Sequence, residues 1–444
     1  MDLISKSLLI LLVTSFLVTP GSAETSLSQL PDPLTLKYAL SLADEAHPDL
    51  LLKDAERLEA EARQKEIESD TGLDVDLDIG VYATDTDRVF FASRKDHARA
   101  GLIFTQTFYD FGRTDSMLAA VEELKHSREL AYHDARGQRR LQIMSAYFDV
   151  LLADLKFSLY NESMAVGYVN FDKAQDRREL GQRTDLDVIR REAEYQKLRV
   201  ARYQSENQQR ETRARLAEVL NRPGQLPATL SMPALMALKN KLPEVELLQQ
   251  QALEKNLHIN ALRHEIRAAE KDVGIARDSL GLELKGRVEA YGYESDIGTT
   301  DEVSAELSLV YNFVRPDQDA EVAAALTQVY TKRAQLQKSE SELRQQILSL
   351  WHQAEELSVQ REAADVLLQL KELELEQSRA LYEMEVKADL GFSMTELTEA
   401  QLNSAKTDYQ LVLVWYKLDL LTANVEMDMN HRVNHPQVSS EVNQ

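Results

Sequence analysis

The chain has 444 residues and contains no cysteine. Disulfides, thiolate metal sites, cysteine nucleophiles and lipid attachment to a cysteine are therefore excluded for this sequence. Proline and glycine are also scarce, with 10 and 15 residues, and the prolines are unevenly placed. None lies between Pro48 and Pro223 or between Pro316 and Pro436. Because proline and glycine most often interrupt helices, these two stretches predict very long helices.

The charge balance is strongly acidic, with 51 basic against 74 acidic residues and a formal net charge of -23. Such a chain is not expected to bind nucleic acid, because the phosphate backbone repels it. Hydrophobic residues make up 43% of the chain and charged residues 28%, which predicts a folded protein. Beyond the N-terminal region, no apolar stretch approaches the roughly 18 residues of a transmembrane helix. A position within a membrane would then require a β-barrel.

The N-terminal region has the pattern of a secretory signal peptide. Lys6 precedes an apolar run over residues 8–18, and Ala23 closes a short segment of small residues. Signal peptidase recognises this order, so we expect residues 1–23 to be a signal peptide cleaved after Ala23. An uncleaved membrane anchor is the alternative.

An internal repeat relates the two halves of the chain. Adding 209 to Glu56 gives Glu265, and the same offset takes Asp187 to Glu396. The repeat predicts a first unit over residues 24–222 and a second over 244–429. A proline-rich linker at 223–243 separates them, and a polar tail follows at 430–444. Each unit is predicted to contain a helix, a pair of strands and two long helices.

The predicted strands alternate in polarity. In the first, an apolar series is interleaved with the acidic series Asp74, Asp76 and Asp78; the apolar members are Leu73, Val75, Leu77, Ile79 and Val81. A period of two places the two series on opposite faces of a strand. Each of the four runs is about ten residues long, which suits a tilted membrane-spanning strand. A soluble sheet with one solvent-exposed face is the alternative.

The predicted helices are several times longer than a globular helix. Their expected bounds are 113–161, 162–220, 317–377 and 378–427. Apolar residues recur within them at heptad-like spacing, so they must pack on partner helices as coiled coils do. Four strands cannot close a transmembrane barrel, which needs about eight. Oligomerisation of several chains would supply both the missing strands and the helical partners.

These features resemble the TolC family of trimeric outer-membrane channel-tunnels. Besides the duplicated plan, the resemblance rests on three segments: FYDFGR at 108–113, LGQRTDLDV at 180–188 and GFSMTELTEAQ at 391–401. It implies a mainly α fold with a small β part, in which long coiled-coil helices form an α-barrel. Four strands per protomer would contribute to one shared transmembrane β-barrel. The second strand-to-helix junction departs from the first, with Pro316 where the first has glycine, so its turn must differ.

The resemblance also implies a function. Such proteins are passive exit ducts for tripartite efflux or type I protein secretion, not enzymes, and no cofactor is expected. The implied partners are two further copies in a homotrimer, outer-membrane lipid, a periplasmic adaptor (membrane fusion protein) and an inner-membrane ABC or RND transporter. The implied location is the outer membrane, with a helical tunnel in the periplasm. A soluble periplasmic coiled-coil adaptor or structural protein is the alternative.

Six acidic residues are candidate site residues. By resemblance, Glu396 and Glu399 fall where the family has acidic rings at its periplasmic entrance, and Asp187 where it has a carboxylate that closes the tip. An ordinary solvated helix face is the alternative for the glutamates. The arginine that usually pairs with this carboxylate in the family is absent here. Lys387 or Arg190 could take its place, or Asp187 could form only a local ion pair with Arg190. Asp74, Asp76 and Asp78 would line the barrel lumen.

Overall fold

A computed structural model describes residues 30–88, 91–225, 229–233, 235, 242–278, 281–295, 302–311, 314–384 and 389–423. The predicted signal peptide at 1–23 and the polar tail at 430–444 lie outside the described residues. The boundaries of the two repeats and of the linker stay predictions.

The first part of the chain contains two short helices, a strand pair and two long helices: α1 Leu36–Ser41, α2 Pro48–Ser69, β1 Leu73–Arg88, β2 Phe91–Tyr109, α3 Arg113–Glu179 and α4 Asp185–Val219. The second part follows a similar order: α5 Val245–Lys255, α6 Leu257–Asp278, β3 Glu283–Ser295, β4 Glu302–Val310, α7 Gln318–Glu383 and α8 Leu390–Leu421. The fold is thus mainly helical with one four-stranded sheet, and the predicted fold class is confirmed.

Two predicted helix breaks are wrong. α3 continues through Asn161 for 67 residues, because no residue near that position ends a helix, and it stops only before Gly181. α7 likewise passes residue 377 and ends at Glu383. The single helix predicted before the first strand pair is divided into α1 and α2, because Pro48 occupies the first turn of α2, where its missing N–H is not needed.

The helices pack side by side, and α3 lies in the middle of the layer. Toward the sheet the order across the layer is α2, α3, α6 and α7, and toward the far end it is α4, α3, α8 and α7. Side-chain contacts fix this order: Arg213 on α4 bridges Asp154 on α3, and the rings of Phe148 and Tyr409 stack between α3 and α8. The outermost helices are therefore α2 and α4 on one edge and α7 on the other.

The main core lies where α3, α4 and α8 meet the segment before α2. Ile143, Met144 and Phe148 are almost fully buried there. The Tyr147 hydroxyl lies 2.8 Å from the Leu34 carbonyl oxygen and 2.6 Å from the Ser231 carbonyl oxygen, so either carbonyl can accept its hydrogen bond. One side chain of α3 thereby ties two distant segments to the helical layer.

Among the helices within the described residues, none combines the length and the apolarity that crossing a membrane would require.

The two strand-to-helix junctions differ, as the sequence predicts. At the first, Asp110 accepts hydrogen bonds from the backbone N–H groups of Gly112 and Thr114, and Gly112 adopts a φ of 90°. Glycine tolerates this left-handed conformation, which turns the chain from β2 into α3. At the second junction, Arg315 donates hydrogen bonds to Asp317, which directly precedes α7, and to Glu321 in the first turn of α7. Side-chain pairing there takes the place of the glycine turn.

Candidate functional site

The four strands form one antiparallel sheet in the order β1, β2, β3, β4. Directly paired residues in an antiparallel ladder point to the same face. Asp78 pairs with Gly101, Gly101 with Tyr291, and Tyr291 with Glu302. Following this register, one face collects polar residues from every strand, among them Asp74, Asp76, Asp78, Arg99, Thr105, Arg287, Glu289, Ser304 and Glu306.

The opposite face of the sheet is apolar and uncovered. It carries branched aliphatic side chains from all four strands, including Leu73, Val75, Leu77, Ile79, Leu102, Val288, Val303, Leu307 and Leu309. These side chains are exposed, and Val303 retains 75% of its accessible surface. A contiguous apolar surface of this extent is rare on a soluble monomer and marks contact with lipid or with another protein.

The three predicted lumen aspartates share the polar face but differ in environment. Asp74 and Asp76 are exposed. The Asp78 carboxylate accepts a hydrogen bond of 2.6 Å from Arg99 Nη2 and a longer one of 3.4 Å from the Tyr291 hydroxyl. The Arg99 guanidinium also lies 4.9 Å from the centroid of the Tyr291 ring. Asp78 thus belongs to a cross-strand charge cluster that the sequence did not reveal.

The tip of the helical layer lies where α3 gives way to α4 and α7 gives way to α8. These two places are called the first and the second helix break. Gly181 adopts a φ of 70° after α3, and the N–H of Gln182 bonds the Arg177 carbonyl, which ends the helix in a left-handed cap. Thr184 then starts α4 through a reciprocal capping box with Asp187. The Thr184 hydroxyl donates to Asp187 at 2.9 Å, and this bond lowers the pKa of the Asp187 carboxyl.

Of the two residues predicted to pair with Asp187, the structure describes Arg190. Arg190 approaches it no closer than 4.0 Å, so the local pair is weak beside the capping box. Lys387 lies outside the described residues. In this structure the main interaction of Asp187 is the capping box with Thr184 at the N-terminus of α4.

At the second break, Asp389 starts α8 by accepting a hydrogen bond from the Phe392 N–H at 3.2 Å. Gly391 lets α8 approach α3 closely, because a Cβ at this position would lie 2.8 Å from a methyl group of Val166. Ser378 on α7 and Ser393 on α8 are joined by a 2.7 Å hydrogen bond. The start of α8 is therefore held on both sides, by α3 and by α7.

The two glutamates predicted at the entrance have different surroundings. Glu396 accepts a 2.8 Å bond from Lys371 on α7, and Lys371 also binds Glu374 at 2.8 Å. These two carboxylates, Glu374 foremost, raise the pKa of Lys371. Glu399 is exposed and has no ion pair within the described residues. Of the two, Glu399 presents the uncompensated charge.

A basic cavity of about 600 Å³ lies at the tip. Its charged lining consists of Lys173, Arg177, Arg183, Arg190, Arg191, Asp187 and Asp389. Sequence reasoning missed both this cluster and the role of Asp389. Asp389 stands just before an apolar helical run, which is the signal of an N-cap residue. The arginines of the first break and an aspartate of the second thus share one cavity.

Comparison with known proteins agrees with this architecture. Residues 39–222 match the family model described as outer membrane efflux protein. No curated protein gives a significant match. Similar solved structures include the CmeC outer membrane channel of Campylobacter jejuni, with 14% identity, a TM-score of 0.71, and coverage of 88% of this chain and 86% of that one.

Two further structures are similar. The outer membrane protein VceC of Vibrio cholerae shares 15% identity at a TM-score of 0.67, covering 88% of this chain and 96% of VceC. The MtrE outer membrane channel of Neisseria gonorrhoeae, in its open state, shares 15% identity at a TM-score of 0.64, covering 87% and 88%. At this identity the likeness concerns the fold.

Members of the matched family are conduits, and on that ground the prediction that this chain is not an enzyme is confirmed. The resemblance drawn from the sequence is confirmed as well. The chain has the fold of the TolC-like outer-membrane channels and, over residues 39–222, the sequence pattern of the outer membrane efflux protein family.

Proposed function

We propose that three copies of this chain form an outer-membrane duct that serves as the passive exit of a tripartite efflux system. The observation that carries the proposal is the sheet, which has one apolar, uncovered face and one polar face. A strand that faces lipid on one side and an aqueous lumen on the other requires this division. Asp74, Asp76 and Asp78 would then point into the lumen.

The unpaired edges of the sheet support assembly from several chains. Within the described residues β1 and β4 are the edge strands, and each pairs on one side only. Exposed edges of this kind are unsatisfied in a membrane, because no water pairs with their backbone groups. Pairing β4 of one chain with β1 of the next removes every edge. Three chains would give twelve strands, as the resemblance implies.

The helical edges support the same arrangement. On α7 an exposed apolar seam recurs at heptad spacing through Val359, Val366 and Leu373. On α4 a second exposed series consists of Leu186, Ile189, Val200 and Tyr203. Both series lie within roughly 40 Å of the tip, since a helix rises 1.5 Å per residue. α7 of one chain would therefore pack on α4 of its neighbour and close a tube.

We choose efflux over type I protein secretion on one ground, the description of the matched family model as outer membrane efflux protein. The duct itself would be passive, with energy supplied by an inner-membrane ABC or RND transporter and contact made through a periplasmic adaptor. At the periplasmic mouth we assign Glu399 to the acidic ring. Glu396 takes part with its charge offset by Lys371. Asp187 and Asp389 would help to close the tip among its arginines.

A matched pair of substitutions on β4 tests the membrane assignment. Leu307→Lys places a charge on the apolar face, whereas Ser304→Lys places the same charge on the polar face opposite Glu289. A lysine facing lipid costs up to about 2–4 kcal/mol per chain. We expect Leu307→Lys to abolish the detergent-extracted oligomer and its conductance in planar bilayers, and Ser304→Lys to leave both intact.

The opposite result would contradict the proposal. A wild-type chain that remains in solution without detergent, forms no channel and tolerates both lysines equally would instead fit a soluble periplasmic coiled-coil protein.

A further inference from the structure

The basic cavity at the tip carries a charge opposite to that of the whole chain. Its volume of about 600 Å³ falls in the range of sites that hold small molecules. Five cationic side chains and two carboxylates line it, whereas the chain has a formal net charge of -23. The cations are Lys173, Arg177, Arg183, Arg190 and Arg191. A local excess of positive charge on an acidic protein attracts anions to the tip.

Three of the five cations have no partner within the described residues. Arg191 pairs with Glu194 at 2.8 Å, and Arg190 approaches Asp187 at 4.0 Å. The other three make neither an ion pair nor a side-chain hydrogen bond in the part of the chain that the structure describes. They are Lys173, Arg177 and Arg183. All three side chains are exposed, so a ligand from solution can reach them.

The two carboxylates of the wall are engaged in helix capping. Asp187 accepts hydrogen bonds from the Thr184 N–H at 3.3 Å and from the Thr184 hydroxyl at 2.9 Å. Asp389 accepts a hydrogen bond of 3.2 Å from the Phe392 N–H. These bonds hold both carboxylates at helix N-termini, where neither pairs with the three unpartnered cations. The cavity therefore retains an excess of positive charge.

The position of the cavity favours a small ligand over a neighbouring chain. Its lining includes Asp389 at the start of α8, and α3 lies between α8 and α4 at this end of the layer. A neighbour in the proposed tube would meet the outer edge of α4, which is the far side of that helix from α3. Because the lining residues all belong to one chain, the cavity is complete without a partner copy.

The donors in the cavity suit phosphate-type groups. Each arginine presents parallel N–H donors that match two oxygens of such a group, and the lysine adds a compact positive charge. Lys173 and Arg177 lie about one turn apart on α3, while Arg183 lies in the segment between α3 and α4. Because these donors are spread over two parts of the chain, an anion with two linked oxyanion groups can contact more of them than a single group can.

We propose that the tip cavity binds a compact polyvalent oxyanion of the diphosphate type, held by Lys173, Arg177 and Arg183. The ligand is a soluble anion, because the 67 residues of α3 place the tip roughly 100 Å from the sheet, beyond the reach of a lipid headgroup there. It joins the end of α3 to the segment that leads into α4. Binding does not depend on the proposed channel function, since one chain supplies the whole site.

Calorimetric titration of the full chain in lipid nanodiscs tests the site. The probes are pyrophosphate, inorganic phosphate and acetate at matched ionic strength, because salt screens exposed charges. We expect one saturable site per chain for pyrophosphate, at least fivefold weaker binding of inorganic phosphate and no saturable binding of acetate. Equal binding of all three probes would indicate general counterion attraction and would overturn the proposal.

Four variants locate the binding. Arg177→Gln and Arg183→Gln should each weaken pyrophosphate binding at least fivefold. Arg178→Gln is the matched control, because Arg178 adjoins Arg177 but pairs with Asp185 and does not line the cavity. Its affinity should stay within twofold of wild type. Asp389→Asn should bind pyrophosphate more tightly, because asparagine retains the helix cap and removes a negative charge from the wall.

The opposite signs of these effects distinguish a ligand site from a structural role. Damage to the fold of the tip would weaken binding in the Asp389→Asn chain as well. The proposal is overturned by unchanged affinity in Arg177→Gln or Arg183→Gln, by an equal loss in Arg178→Gln, or by an affinity of Asp389→Asn no higher than that of wild type.

Discussion

Lys371 on α7 and Glu396 on α8 form a 2.8 Å ion pair, and this pair separates two glutamates that the sequence treats as equivalent. Glu396 and Glu399 are three positions apart, a spacing that places them near one another on a helix surface. Among the residues that the structure describes, Glu396 has a cationic partner on the neighbouring helix and Glu399 has none. The compensated and the exposed carboxylate should therefore contribute unequally to any field at the mouth of a pore.

Ion selectivity should follow this inequality. Glu399→Gln is expected to reduce the cation preference of single channels more than Glu396→Gln, because the charge of Glu396 is offset within the chain. Lys371→Met should raise the cation preference, since it releases the Glu396 charge. Reversal potentials in asymmetric salt across planar bilayers measure all three. Equal effects of the two glutamine variants would show that the ion pair does not persist in the open channel.

The capping box at the start of α4 should make the tip sensitive to acid. Thr184 lowers the pKa of Asp187 below its ordinary value of 3.8, so the folded state favours the carboxylate. The stabilisation of the folded state by the ionised Asp187 is complete above the pKa of this residue in the unfolded chain. It is lost as the pH falls through the lower pKa of Asp187 in the folded state. Hydrogen exchange at 185–192 should accelerate severalfold over that acid range.

Removal of the cap tests this interpretation. Asp187→Asn should give faster exchange at neutral pH and remove most of the acid dependence. Arg190→Gln serves as the control, because Arg190 stands 4.0 Å away and contributes little. An Arg190→Gln variant that reproduces the Asp187→Asn exchange profile would point to the ion pair instead of the cap.

Gly101 should be intolerant of any side chain. A Cβ at Gly101 would lie 2.2 Å from the Tyr291 ring, which covers this glycine from the paired strand. Gly101→Ala must displace the ring and disturb its contacts with Asp78 and Arg99, at a cost of about 1–3 kcal/mol. Gly274→Ala in α6 is the control, because its Cβ would meet open space. The yield of folded, detergent-extracted oligomer should fall for Gly101→Ala alone.

Tyr147 should contribute more to stability than Tyr416. Tyr147→Phe removes the hydroxyl that donates to the Leu34 and Ser231 carbonyls, and the loss of a hydrogen bond of this kind costs about 0.5–1.5 kcal/mol. Tyr416 makes one long bond of 3.4 Å to the Gly137 carbonyl, so Tyr416→Phe should be milder. Thermal unfolding followed by circular dichroism compares the two. A lower midpoint for Tyr416→Phe than for Tyr147→Phe would contradict this ranking.

Much of the fold follows from local sequence. The alternation from Leu73 to Val81 gives a strand with an acidic and an apolar face wherever that strand lies. The scarcity of proline and glycine permits helices of more than 60 residues, and Gly181 supplies the left-handed residue that ends the first of them. The predicted ends at residues 161 and 377 failed because they did not rest on any residue that terminates a helix.

The candidate sites depended more on tertiary structure. The sequence alone determined that acidic residues occur on the first strand and near the tip, that cysteine is absent, and that the long helices need partner helices. Packing decided which charges meet, because Lys371 reaches Glu396 only when α7 and α8 lie in one register, and Asp389 joins Arg183 only when both helix breaks fall at the same end. Such contacts between distant positions leave no periodic signal, since each depends on how whole helices are aligned. The burial of Arg139 is of the same kind: a charged residue in a helical sequence predicts an exposed side chain, and only the packing around α3 removes it from water.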